Sequence, residues 1–251
     1  MIRYCEPGEL AALLSFLPKD PFGCKIESNL HAYGLTAPFA GAWLQQNEAK
    51  GITAALSKVD GAAVLCAGEN ADFDEIEEFM PFAGIETLLC DEAAGRHLGG
   101  DKRFGPVMRL QKPPLSEGHG QAVMHPPIKG LYDVLCESGL FGGAPPEFAR
   151  FYVDVSHRIR HGCSDSAGVY EGERLAAVAM AVAKTKTAAL LGAVAARPGC
   201  RGKGYGSSAV LALLQNLQDR AVYLMREPEK NKHFYERLGF ADCGAWCEKS
   251  R

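Results

Sequence analysis

The sequence predicts an α/β protein with a mixed sheet, built as two related units in tandem, and three observations carry that prediction. Thr187 to Ala195 is a small, apolar run free of charge, and it leads through a basic glycine loop into a helical stretch with Val210, Leu213, Leu214 and Leu217 at i, i+3, i+4 and i+7. The order of helices and strands in the second half repeats that of the first. The halves also resemble each other residue by residue. Ala40-Gly41-Ala42-Trp43 falls on Ala167-Gly168-Val169-Tyr170 at an offset of 127, and the segment AALSKVDGAAVL from Ala54 falls on AMAVAKTKTAALL near an offset of 126.

Taken in order, Leu10 to Leu17 reads as a short helix stopped by Pro18, and Pro21-Phe22-Gly23 as a turn before a second helix, Cys24 to Tyr33. Strands are expected at Gly41 to Gln45, at Gly51 to Lys58 and, after the Asp60-Gly61 turn signal, at Ala62 to Ala67. An acidic helix around Phe73 to Phe79 follows, then strands near Ile85 to Cys90 and Val107 to Leu110. Residues 111–130, with two Pro-Pro pairs and three glycines, read as a linker. Beyond it, Leu131 to Glu137 and Glu147 to His161 read as helices joined by the loop Gly139 to Pro146. Ala167 to Glu171 and Arg174 to Lys184 form a hairpin around Gly172, and a strand at Ala221 to Met225 follows the helix after the glycine loop. The expected domains are residues 1–112 and 129–251, with 113–128 between them.

The chain has 251 residues, 47% hydrophobic and 23% charged, the balance of a globular protein. No apolar run approaches the roughly 18 residues of a membrane span, and MIRYCEPGEL lacks the cationic start and apolar core of a secretory signal. Nine cysteines, an odd number without metal spacing, fit a reducing cytoplasm. Cys243 and Cys247 read as small apolar fillers. The net charge of −3 is unevenly spread, with −7 over residues 1–127 and +4 over the rest. That excess of positive charge is too small, and too free of interleaved aromatics, for a nucleic-acid surface. Neither nucleic acid nor membrane is an expected partner.

The glycine loop is the candidate binding site. Gly202, Gly204 and Gly206 let the backbone approach a ligand closely, and Ser207 and Ser208 are candidate caps for the helix that follows. A helix N-terminus flanked by Arg201 and Lys203 suits a phosphate or pyrophosphate. A P-loop is excluded, because Gly202-Lys203 is followed by Gly204 and position 197 is Arg. Gly204 to Ala209 satisfies the dinucleotide pattern G-x-G-x-x-A, with Glu227 at a suitable distance, but the glycines lie far from the strand end. The 24 residues after Glu227 are also too few for a doubly wound sheet.

Arg201-Gly202-Lys203-Gly204-Tyr205-Gly206 fits R-x-x-G-x-G and resembles the acyl-CoA loop of the GNAT N-acetyltransferase superfamily. Downstream, Asn231-Lys232-His233-Phe234-Tyr235-Glu236-Arg237-Leu238-Gly239-Phe240 resembles that family's second signature, Asn-x-x-(aromatic)-Tyr-x-x-x-Gly-Phe. The resemblance covers roughly residues 129–251. It implies a GNAT-like acyl-CoA N-acyltransferase fold and a cytoplasmic N-acetyltransferase, with acetyl-CoA as donor and a small-molecule or peptide amine as acceptor. By the same resemblance, backbone groups at Val194, Ala195 and Ala196 would pair with the pantetheine arm. Arg201, Gly202, Lys203, Gly204, Tyr205, Gly206 and Ser207 would hold the pyrophosphate. Asn231 would bind the pantetheine or nucleotide part, and Tyr235 would protonate the departing thiolate. A phenol of pKa about 10 is a chemically reasonable acid for that role.

The general base is left open. Thr187 to Ala195 contains no acid, where many relatives place a glutamate, and Asp165 or Glu171 acting through water are the remaining carboxylate candidates. His157 and His161 have the spacing of a shared metal but no third ligand, so no metal is expected. Phe141 and the loop Gly139 to Pro146 are the expected roof over the acceptor, again by resemblance. In the first half, Gly68 to Met80 holds six acidic residues and no Lys or Arg, a surface that repels pyrophosphate. A structural, pocket-completing or dimer-forming role is expected there, with a homodimer as the corresponding assembly. Two alternatives remain: an acyltransferase using a longer acyl-CoA, as the tandem layout's similarity to glycine N-acyltransferase-like proteins implies, and a non-catalytic acyl-CoA sensor.

Overall fold

A computed structural model describes residues 1–111 and 120–250. Their strands are β1 (Ile2–Tyr4), β2 (Ala40–Gln46), β3 (Ile52–Val59), β4 (Ala62–Ala67), β5 (Thr87–Asp91), β6 (Lys102–Leu110), β7 (Ala122–Met124), β8 (Asp165–Glu171), β9 (Arg174–Lys184), β10 (Ala188–Ala196), β11 (Ala221–Met225) and β12 (Phe240–Ser250). The α-helices are α1 (Leu10–Phe16), α2 (Pro21–Tyr33), α3 (Phe73–Phe82), α4 (Glu92–His97), α5 (Ile128–Ser138), α6 (Phe148–Arg160), α7 (Tyr205–Gln215) and α8 (Lys232–Arg237). Among them no helix is long and apolar enough to cross a membrane.

The chain packs as two compact units. The first comprises Met1–Met108, Met225–Lys230 and Asp242–Arg251, and the second Arg109–Leu224 and Asn231–Ala241. This division interleaves the chain, whereas the domains expected from sequence are contiguous. The reason lies in β12, whose residues Trp246 to Ser250 pair antiparallel with Asp91 to Thr87 of β5. Cys247 is thereby buried opposite Cys90, as a small apolar filler should be, while Cys243 lies exposed. The close fit has a cause in Gly95, where a side chain would bring its Cβ within 2.3 Å of the Cys247 Cβ.

In the first unit β2, β3 and β4 form an antiparallel meander, and β4 then pairs in parallel with β5 across the crossover helix α3. Leu56, Leu65, Ile76, Met80 and Leu88 fill the core between sheet and helix. The second unit repeats the succession. β8, β9 and β10 form an antiparallel meander, and β10 pairs in parallel with β11 across α7. The offsets near 127 thus connect β2 with β8 and β3–β4 with β9–β10. The meander strands are buried along most of their length, as expected when helices cover both faces of a sheet. On one face, α5 and α6 set Leu131, Val134, Leu135 and Val155 against Leu175, Val178 and Met180. Full burial of a leucine such as Leu131 or Leu135 contributes about 1.5–3 kcal/mol.

Several elements differ from expectation for local reasons. Pro21-Phe22-Gly23 is the first turn of α2 rather than a turn before it. The Asp20 carboxylate accepts from Phe22 N at 2.9 Å and Gly23 N at 2.8 Å, and Pro21 takes a position where no N–H is needed. The short elements β1 and α4 had no periodicity long enough to mark them. The start of the expected linker, residues 113–119, lies outside the described residues. Its later part is ordered, since Ala122 to Met124 pair with Val169 to Ala167 and α5 begins at Ile128.

Replacing Asp20 by Ala should destabilise the first unit by about 1 kcal/mol, the usual loss of an N-cap. Urea unfolding should show a lower midpoint with an unchanged slope, and Asp20→Asn should recover most of the difference.

Candidate functional site

The site begins where β10 leaves its neighbour. β10 runs to Ala196, but its pairing with β11 spans only Ala188 to Leu191. On the other side its register with β9 shifts between Leu190 and Leu191 and again between Gly192 and Ala195, and Ala193 sits at φ +48°. These irregularities turn the strand as it leaves β11. Arg197 donates its N–H to Ala176 O of β9 at 2.9 Å. Strand alternation therefore directs the peptide groups of Ala196 toward the edge that β11 leaves uncovered.

That edge runs into the glycine loop. Pro198–Cys200 form one short turn, after which Gly202 and Gly204 adopt φ +78° and +81°. Only glycine takes such angles readily, so the backbone constrains both positions, and a Cβ at Gly202 would meet open space. Gly204 is the N-cap of α7, and no side chain caps the helix. The expected caps, Ser207 and Ser208, lie inside α7 because the left-handed glycine starts the helix earlier. Ser208 is buried and its hydroxyl donates back to Gly204 O at 3.2 Å. Among the described residues no side chain takes the N–H groups of Tyr205, Gly206 and Ser207, so this helix start can receive an anion.

Charged side chains brace this loop. Arg201 donates to Ser138 O, at the C-terminal end of α5, at 2.8 Å. Arg197 is buried, donates through Nε to Leu175 O at 2.7 Å and pairs with Glu137, which also accepts from Arg174 at 3.0 Å. The Arg197 guanidinium holds the Glu137 carboxyl below the usual carboxylate range. Glu171, at the end of β8, accepts from Lys203 Nζ at 2.8 Å and Tyr205 OH at 3.0 Å, with Cys200 Sγ at 3.5 Å. Lys203 first, then Tyr205, holds its carboxyl low as well. Sequence reasoning missed Glu137, Arg174 and Ser138 as supports, since nothing in their local spacing links them to the loop, and Ser138 lies 63 residues from its partner Arg201.

The second signature reaches the loop through Phe234. A Cβ at Gly206 would lie 3.8 Å from the Phe234 ring, so α8 adjoins the first turn of α7. Asn231 is exposed, takes φ +60° and caps α8 through its backbone. Tyr235 is half-buried between Phe234 and Phe240, with ring centroids at 4.9 and 6.0 Å. Burial pushes its phenol up to about 12, so the hydroxyl stays protonated throughout the neutral range.

Both carboxylates suggested as a base have partners within the protein. Asp165 is buried and accepts from Ser166 N, Lys184 and Asn216 at 3.0, 3.0 and 2.6 Å, with His125 Nε2 at 3.3 Å. Glu171 is held by the loop. The His157 and His161 rings lie 4.0 Å apart, tilted by 31°, and among the described residues no three His, Cys, Asp or Glu side chains could hold a metal. The Gly139–Pro146 loop is anchored by Tyr132, whose hydroxyl donates to Pro146 O at 2.8 Å and whose ring packs on Phe148 and Phe151. Phe141 closes that aromatic cluster.

The corresponding helix start in the first unit is closed. Asp72 caps α3 by accepting from Glu75 N at 3.0 Å, and Asp74 and Glu75 occupy its first turn. Carboxylates thus stand where α7 leaves open N–H groups.

Comparison with known proteins agrees with this geometry. Residues 129–240, which contain the glycine loop and Tyr235, match the acetyltransferase (GNAT) family. No curated protein matches the chain in sequence. Among solved structures, a GCN5-related N-acetyltransferase from Sphaerobacter thermophilus is similar over 100% of this chain and 95% of its own, with TM-score 0.65 and 15% identity. A tandem GNAT protein from the clavulanic acid biosynthesis pathway is similar over 100% and 98%, with TM-score 0.62 and 14% identity. A GNAT-family acetyltransferase from Colwellia psychrerythraea is similar over 99% and 98%, with TM-score 0.59 and 13% identity. At these identities the likeness is one of fold, and it extends over both units.

The burial of Tyr235 has a titration signature. In a spectrophotometric titration, the difference between wild type and Tyr235→Phe should show one phenol ionising near pH 12, above the ordinary value of about 10. Between those pH values the unfolded chain ionises first. The stabilisation from keeping this phenol neutral is therefore complete below about pH 10 and is lost as pH rises toward 12.

Proposed function

With residues 129–240 forming a domain of the acetyltransferase (GNAT) family, we propose that the protein is an N-acetyltransferase using acetyl-CoA and a primary amine. The observation that carries this reading is the uncovered edge of β10 running directly into an uncapped helix N-terminus behind two left-handed glycines. An extended arm that ends in a pyrophosphate needs both features in that order. Peptide groups bond the arm as an added strand would, and helix N–H groups receive the phosphates.

Each residue then has a role. Val194, Ala195 and Ala196 present the peptide groups for the pantetheine arm. Gly202, Gly204, Gly206 and Ser207 supply the backbone cradle for the pyrophosphate, with Arg201, Lys203 and Tyr205 around it. Asn231 lies exposed at the start of α8 for the pantetheine or nucleotide portion. Acetyl-CoA supplies a thioester whose acyl carbon an amine attacks directly. Tyr235, protonated at neutral pH, donates its proton to the sulfur as the C–S bond breaks. With no carboxylate along β10, the acceptor reaches the site as a neutral amine or loses its proton to water. The cytoplasm is the expected setting, and the first unit has a supporting role, since its helix start is closed by acids.

A non-catalytic acyl-CoA sensor is the second reading, favoured by the lack of a free carboxylate along β10. Tyr235 separates the two. In an enzyme, Tyr235→Phe should lower kcat by about 10²–10⁴ with little change in KM for acetyl-CoA, followed by thiol release with a panel of amines. If turnover is present and this substitution leaves kcat unchanged, Tyr235 is not the acid.

A further inference from the structure

Glu171 comes to the glycine loop from outside it and holds donors on both flanks of its left-handed glycines. Cys200 precedes Gly202, Lys203 stands between the two glycines, and Tyr205 opens α7; all three approach one carboxylate within 3.5 Å. The carboxylate is therefore bound to the same cation that flanks the open helix N-terminus. Its contact with Lys203 is not sealed from water, because the two side chains are 43% and 48% exposed. An ion pair so exposed is weak and readily exchanged for another anion. Arg201 differs, since its partner is the neutral carbonyl of Ser138 and it meets no competing charge there.

We propose that Glu171 is an internal competitor for pyrophosphate at this loop. It holds Lys203 and Tyr205 until a pyrophosphate-bearing ligand takes the Lys203 ammonium, and so it sets how tightly such a ligand binds. The inference rests on reading the loop as a coenzyme A site. Glu171 is a positioning residue, because it acts through Lys203 and Tyr205 and touches no reacting atom. Two opposed effects follow from the geometry. The carboxylate orders the loop, which favours binding, and it repels the phosphates and occupies their cation, which opposes binding. Exposed pairs order little, whereas a carboxylate in direct contact with Lys203 must give up that cation before a phosphate can take it. The competition wins, and removing the charge should tighten binding.

The test is calorimetric titration of the full chain with free coenzyme A, comparing wild type, Glu171→Gln and Glu173→Gln. Gln keeps an acceptor for Tyr205 while removing the charge. Glu173 is an exposed acid two residues away, so its variant controls for net charge. Glu171→Gln should bind roughly two- to fivefold tighter, the range of one exposed charge, and Glu173→Gln should stay near wild type. The gain should shrink in high salt. Without ligand, trypsin should cut after Arg201 or Lys203 faster in Glu171→Gln than in wild type, and coenzyme A should remove that difference. Equal or weaker binding by Glu171→Gln, or unchanged cleavage, overturns the proposal while leaving the coenzyme A site intact. No binding by wild type or either variant overturns the coenzyme A reading itself, and the proposal with it.

Discussion

The second unit depends on a parallel pairing that stops early. Four register pairs join β10 to β11, and then β10 continues to Ala196 paired with β9. Had the two strands stayed paired, the peptide groups of Ala196 would be consumed within the sheet. The separation leaves that strand backbone open to water or a ligand. A sheet tolerates such unsatisfied edges only where water or a ligand can reach them. The first unit has the same short parallel pair, with Ala62 to Val64 against Thr87 to Leu89. Two things differ there: β4 runs in register with β3, without the shifts of β10, and the first turn of the next helix carries its own carboxylates.

A glycine loop with two left-handed residues has too much freedom to hold itself in place. Its support comes from α5 and β8. Arg197 and Arg174 converge on Glu137, Arg201 reaches the carbonyl of Ser138, and Lys203 with Tyr205 reaches Glu171. The buried Arg197 matters most in this set, since an arginine left without its carboxylate in a buried position is costly. The end of α5 is also where Gly139, at φ +77°, begins the loop carrying Phe141. Loop and aromatic cluster are thereby fixed to the same helix end.

How much of this the sequence discloses follows from how local each constraint is. Gly202 and Gly204 were legible because a left-handed backbone next to a helix start leaves glycine few substitutes. The approach of α8 to the loop was legible through the Asn231-to-Phe240 frame, and the repeat through two strands at shared spacing. The start of α7 was misjudged, since serine is the usual cap and only the backbone angle of Gly204 shows that the helix begins earlier. Glu137, Ser138 and the contacts of Glu171 were not legible, because their partners are brought together by the sheet and not by sequence distance. The return of β12 to the first unit was missed for the same reason. Contiguity in the chain carries no information about which strand edge a late segment will cover.

Calorimetric titration of acetyl-CoA into the intact chain and into a Gly204→Glu variant tests whether the β10 edge and the α7 N-terminus together form one site. That variant places a carboxylate at the helix start and a side chain at φ +81°. Binding by the natural chain at one site per chain, lost in the variant, is expected. Absence of binding by the folded natural chain, or equal binding by both, would rule such a site out.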